Sequence, residues 1–406
     1  MAAYVFCLTT SGGVPIFARN KIGLKSLPFP VIGSLNGVHM FANSHDVQLV
    51  STVTDDSKIL WKSFHDSVTL IVVSEDDNAD DCHLTNLLTY VFNIMVLLLG
   101  MDDVTNIRNV ERFKKDVRVC FPLIDRLIEQ GELLTFGDLV NAVDTIAAPE
   151  NAVLQNFLDA FAECADSPYG CVLVQGKIAV ATRKWWGLSA RELVLLPLLV
   201  SSLSSCSSRD VPVFLPNASP TVPHRLMTFQ LTKGIEVCVL CGPSPSLTDL
   251  EEEVGRFWRT SYDLLRSVLQ LHPANFPHTI PLDTNLLGFL LVNTETNQCL
   301  CTISPHGSDD DSLEDHERRH ILRSYYKHVV GNFFSSKVEG SEKGPSEFTH
   351  VAMDTYLTTD THKCYAMLSP PHQIYALYRP NIPTFAMRSI TEKALLALTK
   401  DKSVQL

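Results

Sequence analysis

The residue groupings that could perform chemistry are few, and each must be weighed against its position in the chain. Ser63-Phe64-His65-Asp66-Ser67 holds the side-chain types of a hydrolytic triad. A triad works because a base and an orienting carboxylate converge in space on a nucleophile. Neighbours in one strand or turn cannot converge in that way. A hairpin turn whose polar groups bond locally is the stronger reading; a hydrolase using His65 and Asp66 is the weaker one. No G-x-S-x-G nucleophile elbow occurs elsewhere. The run from Gly170 to Gly176-Lys177 approaches a phosphate loop but is one residue too long. Ile178 also stands where the magnesium-binding hydroxyl belongs, and the run sits in a hairpin rather than between strand and helix.

Cys238-Val-Leu-Cys241 matches C-x-x-C, yet residues three apart in a strand point to opposite faces. They could share a metal only if a turn began at Cys241, before Gly242-Pro243, and no second pair stands at zinc spacing. Two core cysteines are the expectation. The 14 histidines show no H-E-x-x-H spacing. Glu317, Arg318, Arg319 and His320 read as the solvated, ion-paired face of a helix. No catalytic residue, metal site or cofactor is therefore expected.

Recognition leaves stronger traces. Trp185-Trp186 and Phe257-Trp258 are adjacent aromatic pairs, of which one member each should pack inward and the other could anchor a partner. Trp186 and Trp258 are taken as the interface candidates. Between Asn106 and Asp116, Ile107, Val110 and Phe113 share one helical face, with Arg108, Arg112 and Lys115 on another. Such a face is usually just solvated. Its functional reading is contact with an acidic partner or phosphoinositide headgroups.

The composition is globular: of 406 residues, 45% are hydrophobic and 19% charged. A net charge of −12 argues against nucleic-acid binding, which needs a basic face. The start, MAAYVFCLTT, lacks the basic and long apolar regions of a secretory signal. Leu84 to Leu99 is apolar but contains Thr85, Asn86, Thr89 and Asn93, which predicts a buried helix rather than a membrane span. The 11 cysteines are scattered, and Cys7, Cys171, Cys238, Cys299, Cys301 and Cys364 lie in apolar strand-like runs. That usage suits a reducing compartment and predicts a cytoplasmic protein.

The elements that must position these groups repeat in pattern, though not in sequence. In the first copy, Tyr4–Thr9 and Val14–Arg19 predict a hairpin around Ser11-Gly12-Gly13. A helix over Val31–Phe41 follows, then strands Val47–Val53, Ile59–Phe64 and Val68–Val73, a long helix His83–Leu99 and a basic helix from Asn106. The second copy has a hairpin at Cys171–Thr182, a helix capped by Ser189, strands Val211–Leu215, His224–Leu231 and Glu236–Leu240, and a helix from Ser246. The third has a hairpin at Leu287–Ser304, an acidic loop at Asp309–Asp311 and a helix ending near Val330. A polar loop to Ser346 follows, then strands Phe348–Leu357, Lys363–Leu368 and Ile374–Tyr378, and a closing helix through Ile390–Leu398. Residues 131–167 predict helices, from the spacing of Leu139, Val143 and Ile146 and of Leu154, Leu158 and Phe161. Pro273, Pro277 and Pro281 stiffen the link into the third copy.

The strings PFPVIGSLNGVHMF (28–41), WKSFHDSVTLIVV (61–73), NIRNVERFKKD (106–116), SPTVPHRL (219–226) and LCGPSPSL (240–247) resemble the tri-longin family of planar cell polarity proteins. The resemblance implies an α+β fold of three tandem longin modules, each a five-stranded antiparallel sheet flanked by helices. The divisions are 1–130, 168–272 and 273–406, with a helical connector at 131–167. It further implies pairing with Inturned, assembly with the WD-repeat protein Wdpcp in a ciliogenesis and planar polarity effector complex, and action at the basal body in intraflagellar transport. The pair would form an exchange module for a Rab-family small GTPase. Exchange needs a shaped surface rather than a nucleophile, so Phe29, Asn36, His39, Trp61 and His65 in the first module become candidates for that surface. The alternative is a trafficking adaptor that binds cargo or a phosphoinositide membrane surface without exchange activity.

Overall fold

A computed structural model describes residues 2–76, 80–129, 135–306, 313–334, 352–401 and 404. It contains three sheets. Two compact bodies carry them: one of residues 1–133 with 213–223, the other of residues 134–212 with 224–406.

In the first body, β1 (Ala2–Thr9) and β2 (Pro15–Asn20) form the hairpin, and α1 (Phe29–Ser44) follows. Then come β3 (Ser51–Val53), β4 (Lys58–Phe64), β5 (Val68–Ser74) and α2 (Asp81–Leu99). The sheet order is β2-β1-β5-β4-β3, every pair antiparallel. Side-chain alternation assigns the faces. Tyr4, Phe6, Leu8, Ile59, Trp61, Ile71 and Val73 form one core with Ile32 of α1. The opposite face lies beneath α2 and the later α5.

The α2 helix is long and apolar enough to cross a bilayer by composition, but most of it is buried within the body. Asp80 caps it by accepting the His83 N–H, and Gly100 ends it at φ 86°. Next are α3 (Met101–Thr105), α4 (Val110–Asp116), a 3-10 turn (Val117–Cys120) and α5 (Phe121–Glu129). Asp125 of α5 ion-pairs with Arg19 of β2. The third strand is shorter than Val47–Val53: α1 runs on to Ser44, and residues 45–50 are taken up by its exit, where Asp46 adopts a left-handed φ of 56°.

The second body opens with α6 (Gly137–Val140), β6 (Val143–Asp144) and α7 (Asn151–Cys164). The second sheet comprises β7 (Gly170–Val174), β8 (Lys177–Ala181), β9 (Ser208–Leu215), β10 (Ser219–Thr232) and β11 (Ile235–Cys241), in the order β8-β7-β11-β10-β9. Between β8 and β9 lie α8 (Arg183–Trp186) and α9 (Ala190–Ser202); after β11 come α10 (Leu247–Trp258) and α11 (Tyr262–Gln270). Ser189 and Glu192 close a capping box at the start of α9. Leu154, Leu158 and Phe161 of α7 pack with Leu250 and Trp258 of α10 over this sheet.

The third sheet comprises β12 (Leu286–Asn293), β13 (Gln298–Thr302), β14 (Asp354–Thr358), β15 (Lys363–Ser369) and β16 (His372–Tyr378), with α12 (Asp315–Asn332) after β13 and α13 (Thr384–Lys400) at the end. Its order is β14-β15-β16-β12-β13-β6. The expected acidic loop at Asp309–Asp311 and most of the polar loop to Ser346 lie outside the described residues.

The connector departs from expectation. Leu154, Leu158 and Phe161 do lie on a helix, but Val143 lies in β6, paired in parallel with β13. Thr145 then bridges Ile178 of β8. Ile146 N–H donates to Ile178, and Thr145 N–H to Cys299. Nearly every residue from 137 to 148 is buried, so no solvent-facing side exists to imprint a period, and the i, i+3 spacing of Val143 and Ile146 reflects two-sided burial.

Candidate protein interface

The segment expected to be a hairpin turn is one, and its polar groups bond both locally and to a more distant carbonyl. His65 and Asp66 are the central residues of the β4–β5 turn, with φ of 50° and 51°, and Ser67 N–H closes it onto the Phe64 carbonyl. That is a type I′ turn, which matches strand twist. Ser63 Oγ pairs with Thr69 Oγ1 at 2.9 Å, and Ser67 Oγ donates to the Val104 carbonyl at 2.8 Å. The His65 ring stacks on Phe92. Gln175 and Gly176 make the equivalent left-handed turn between β7 and β8. Cys238 and Cys241 are both buried; Cys241 belongs to the core beneath α7, whereas Cys238 sits opposite Cys171. Burial first, then the neighbouring Cys238, pushes the Cys171 thiol well up, which keeps it protonated and unreactive. No cluster of metal-ligating side chains occurs among the described residues.

The polar-helix expectation for 317–320 needs correction. Arg318 is buried, its guanidinium donating to the Leu313 and Ile303 carbonyls. Arg319 is half-buried. Glu317 and His320 are exposed as expected, whereas Arg318 turns into the core and Arg319 lies between, so only part of this charged run marks a solvated face.

The surface candidates divide by exposure. Phe29 is exposed at the start of α1 and Asn36 is half-buried. His39 is buried, and burial lowers its pKa. Trp61 is buried as well: its indole N–H donates to the Leu35 carbonyl at 3.2 Å, pinning α1 to β4. His65 is exposed in its turn. Of the aromatic pairs, Trp185 is buried and Trp186 half-buried, but Trp258 is buried and Phe257 is the more exposed neighbour. His39, Trp61 and Trp258 are therefore core residues rather than contact residues. Trp258 packs on Phe157 and Phe161, so the α7 connector helix draws it inward.

Arg108, Arg112 and Lys115 are all exposed around α4, and Phe113 anchors that helix. Acids intervene: Arg112 pairs with Asp116 at 3.5 Å, and Lys114 with Glu111 at 2.7 Å. The ion pair and hydrogen bond from Lys114 hold the Glu111 carboxyl below its ordinary range.

The most unusual surface is α1 itself. Its 16 residues, FPVIGSLNGVHMFANS, contain no Lys, Arg, Asp or Glu. Only Ile32 and His39 are buried. Phe29, Val31, Val38, Met40 and Phe41 are exposed, Phe41 at 67%. Gly33 and Gly37 lie on the outer side, where an added Cβ would touch nothing. The neighbouring Val47, Val50 and Val53 are exposed too, and β3, which carries Val53, is an edge strand. Soluble monomers rarely leave so contiguous an apolar surface uncovered. Val38, Phe41 and Val53 were not singled out in the sequence. The available signal was the lack of any charge from Ser26 to His45.

Three family profiles match in series: the first longin domain of FUZ, MON1 and HPS1 over residues 3–127, the second over 165–259 and the third over 285–402. The chain is 45% identical to the protein fuzzy homolog of Xenopus tropicalis, covering 98% of both sequences. It is 42% identical to the human protein fuzzy homolog and 40% to that of Mus musculus, over 98% of this chain and 97% of each relative. The chain belongs to the fuzzy homolog family. Its three sheets are thus the three longin domains that the family profiles describe. The fuzzy-type sheets follow the order 2-1-5-4-3 of their own strands, with the connector's β6 added to the third.

Proposed function

We propose that this chain is a non-catalytic scaffold subunit that docks a second longin-type protein through the charge-free face of α1 in its first domain. The observation that carries this reading is the exposed apolar set Phe29, Val31, Val38, Met40 and Phe41, continued by the β3 edge. A longin-type partner suits both parts: a helix laid across Gly33 and Gly37 would bury the apolar face, and a strand added to β3 would pair its open backbone. Burying a large apolar side chain contributes about 1.5–3 kcal/mol, so two or three such residues can dominate an interface. The partner expected from the resemblance is Inturned. With it, the pair would act as an exchange module for a Rab-family small GTPase, joined by Wdpcp in a cytoplasmic assembly at the basal body.

Co-purification of the full chain with Inturned, followed by Rab nucleotide-release assays, tests this function. Phe41→Asp combined with Val38→Asp should weaken the pair more than tenfold while leaving the melting temperature within a few degrees. Undiminished pairing in that double variant would overturn the α1 assignment. A pair that never accelerates release from any Rab-family GTPase would overturn the exchange function.

A further inference from the structure

Inside the second body, a cleft of about 120 Å³ lies where the connector, the second domain and the third domain meet. Its walls include Lys177 at the start of β8, Arg319 of α12, and His272 and Asn275 of the interdomain link. Two of these are cations of unusual standing. Lys177 is only 4% exposed. Among the described residues, neither Lys177 nor Arg319 has a carboxylate within ion-pair distance or makes a side-chain hydrogen bond.

The nearby acids hydrogen-bond to other groups, though Asp144 acts on Lys177, and Asp315, itself in the cleft wall, acts on Arg319, from beyond contact distance. Both Asp144 oxygens accept backbone N–H groups of Phe136 and Gly137, at 2.7–3.0 Å. Asp315 accepts the Ser304 hydroxyl at 2.9 Å. His272 and Asn275 adjoin, and the His272 ring and the Asn275 amide interact with each other, a contact that raises the histidine's pKa against the lowering by burial. The other end of the Asn275 amide donates to the Cys301 carbonyl at 2.7 Å, which fixes the side chain in place. Buried polar groups are nearly always satisfied, so two cations without a direct partner on one cavity point to an occupant.

We propose that this cleft is a binding site for a small phosphate-type oxyanion, held by Lys177 of the second domain and Arg319 of the third. Two cations facing one cavity repel each other and, among the described residues, have no carboxylate in direct contact; an anion between them supplies that counter-charge. Burial lowers the pKa of Lys177, and Arg319 adds to that lowering, which an anion would reverse. A hydrogen phosphate or phosphomonoester offers several acceptor oxygens on one small group, enough for Lys177 and Arg319 together. The volume suits the group: at about 30 Å³ per water it has room for only a few waters, which admits one phosphate and no peptide segment. An occupant here would tie the two domains together through their own cations.

The test uses the full chain and inorganic phosphate, titrated by calorimetry against chloride of equal ionic strength, with Arg319→Gln and Lys177→Met. Saturable binding of one phosphate per chain, weakened at least tenfold in Arg319→Gln, is the expected result. Arg319 is half-exposed, so this variant is read even if Lys177→Met does not fold. Absence of saturable binding overturns the proposal, as does equal binding by wild type and Arg319→Gln. A further arm uses phosphatidylcholine vesicles with and without phosphatidylinositol phosphates. Vesicle binding without binding of free phosphate would assign the cations to a membrane surface and overturn the site as a soluble-anion pocket.

Discussion

The ion pair between Asp138 and Arg323 gives the sharpest energetic test of how the connector is held. Asp138 sits in α6 and Arg323 in α12, with 2.9 Å between Oδ2 and Nη2 and side-chain exposures of 3% and 2%. The guanidinium also donates to the Thr135 carbonyl at 3.0 Å and lies over the Phe136 ring. Asp138→Ala removes the counter-charge and leaves a permanent cation buried. Losing one partner of such a pair costs about 3–5 kcal/mol, whereas replacing both by apolar groups is often neutral. For a body of this size, about 1 kcal/mol corresponds to roughly 2–4 °C in melting temperature, so Asp138→Ala should lower it by about 6–20 °C. The double variant Asp138→Leu, Arg323→Met should recover most of that loss. Fluorescence of the buried Trp185 and Trp258 reports on this body, and hydrogen exchange would show protection lost around residues 135–145. A fall of less than about 1 kcal/mol in Asp138→Ala, or a double variant as unstable as the single one, would refute the reasoning.

Three further outcomes follow from the same geometry. Burial raises the Asp144 carboxyl from 3.8 to about 6, so the folded state holds its proton more tightly than the unfolded chain; stability should therefore fall as pH rises from about 4 to 6. Asp144→Asn should flatten that slope in urea titrations, and an unchanged slope would show that another group carries it. Gly100→Ala should destabilise the first body by about 2 kcal/mol or more, since φ is +86° and the new Cβ would stand 2.9 Å from the Phe214 ring; thermal melts of the variant measure this. Ser189→Ala removes the capping box of α9 and should cost about 1 kcal/mol in denaturant midpoint analysis, with Ser189→Asp retaining most of the stability.

Most of the fold was legible because its signals are local. Strand alternation in Tyr4–Leu8, the Gln175-Gly176 turn and the Ser189 cap each declare themselves within a few residues. What escaped notice depends on distant partners. Val143 became a strand because β13, over 150 residues later, offers a parallel edge, and no local period records that. Trp258 was taken for a surface anchor because the helix that covers it, α7, belongs to the connector. Arg318 reads as solvated because a charged run says nothing of carbonyls waiting at Ile303 and Leu313. The apolar face of α1 was legible in part: Phe29 is among the surface candidates read from the sequence, whereas Val38 and Phe41 are not. Lys177 attracted attention only as a failed phosphate loop, and its burial against the third domain lies beyond any local pattern.

The parallel strand β6 has a consequence for how the chain is made. Its partner β13 is translated long after it, so on the ribosome β6 must wait while the whole second domain is synthesised. Contacts of such sequence separation form late. During that interval, β6 exposes an open edge on its β13 side, the feature that invites pairing with other chains. A message that ends early, after the second domain, would make this exposure permanent. Such a product should aggregate or be degraded rather than persist as a shorter working protein, so a stop codon between β11 and β13 should act as a complete loss of the second and third domains together.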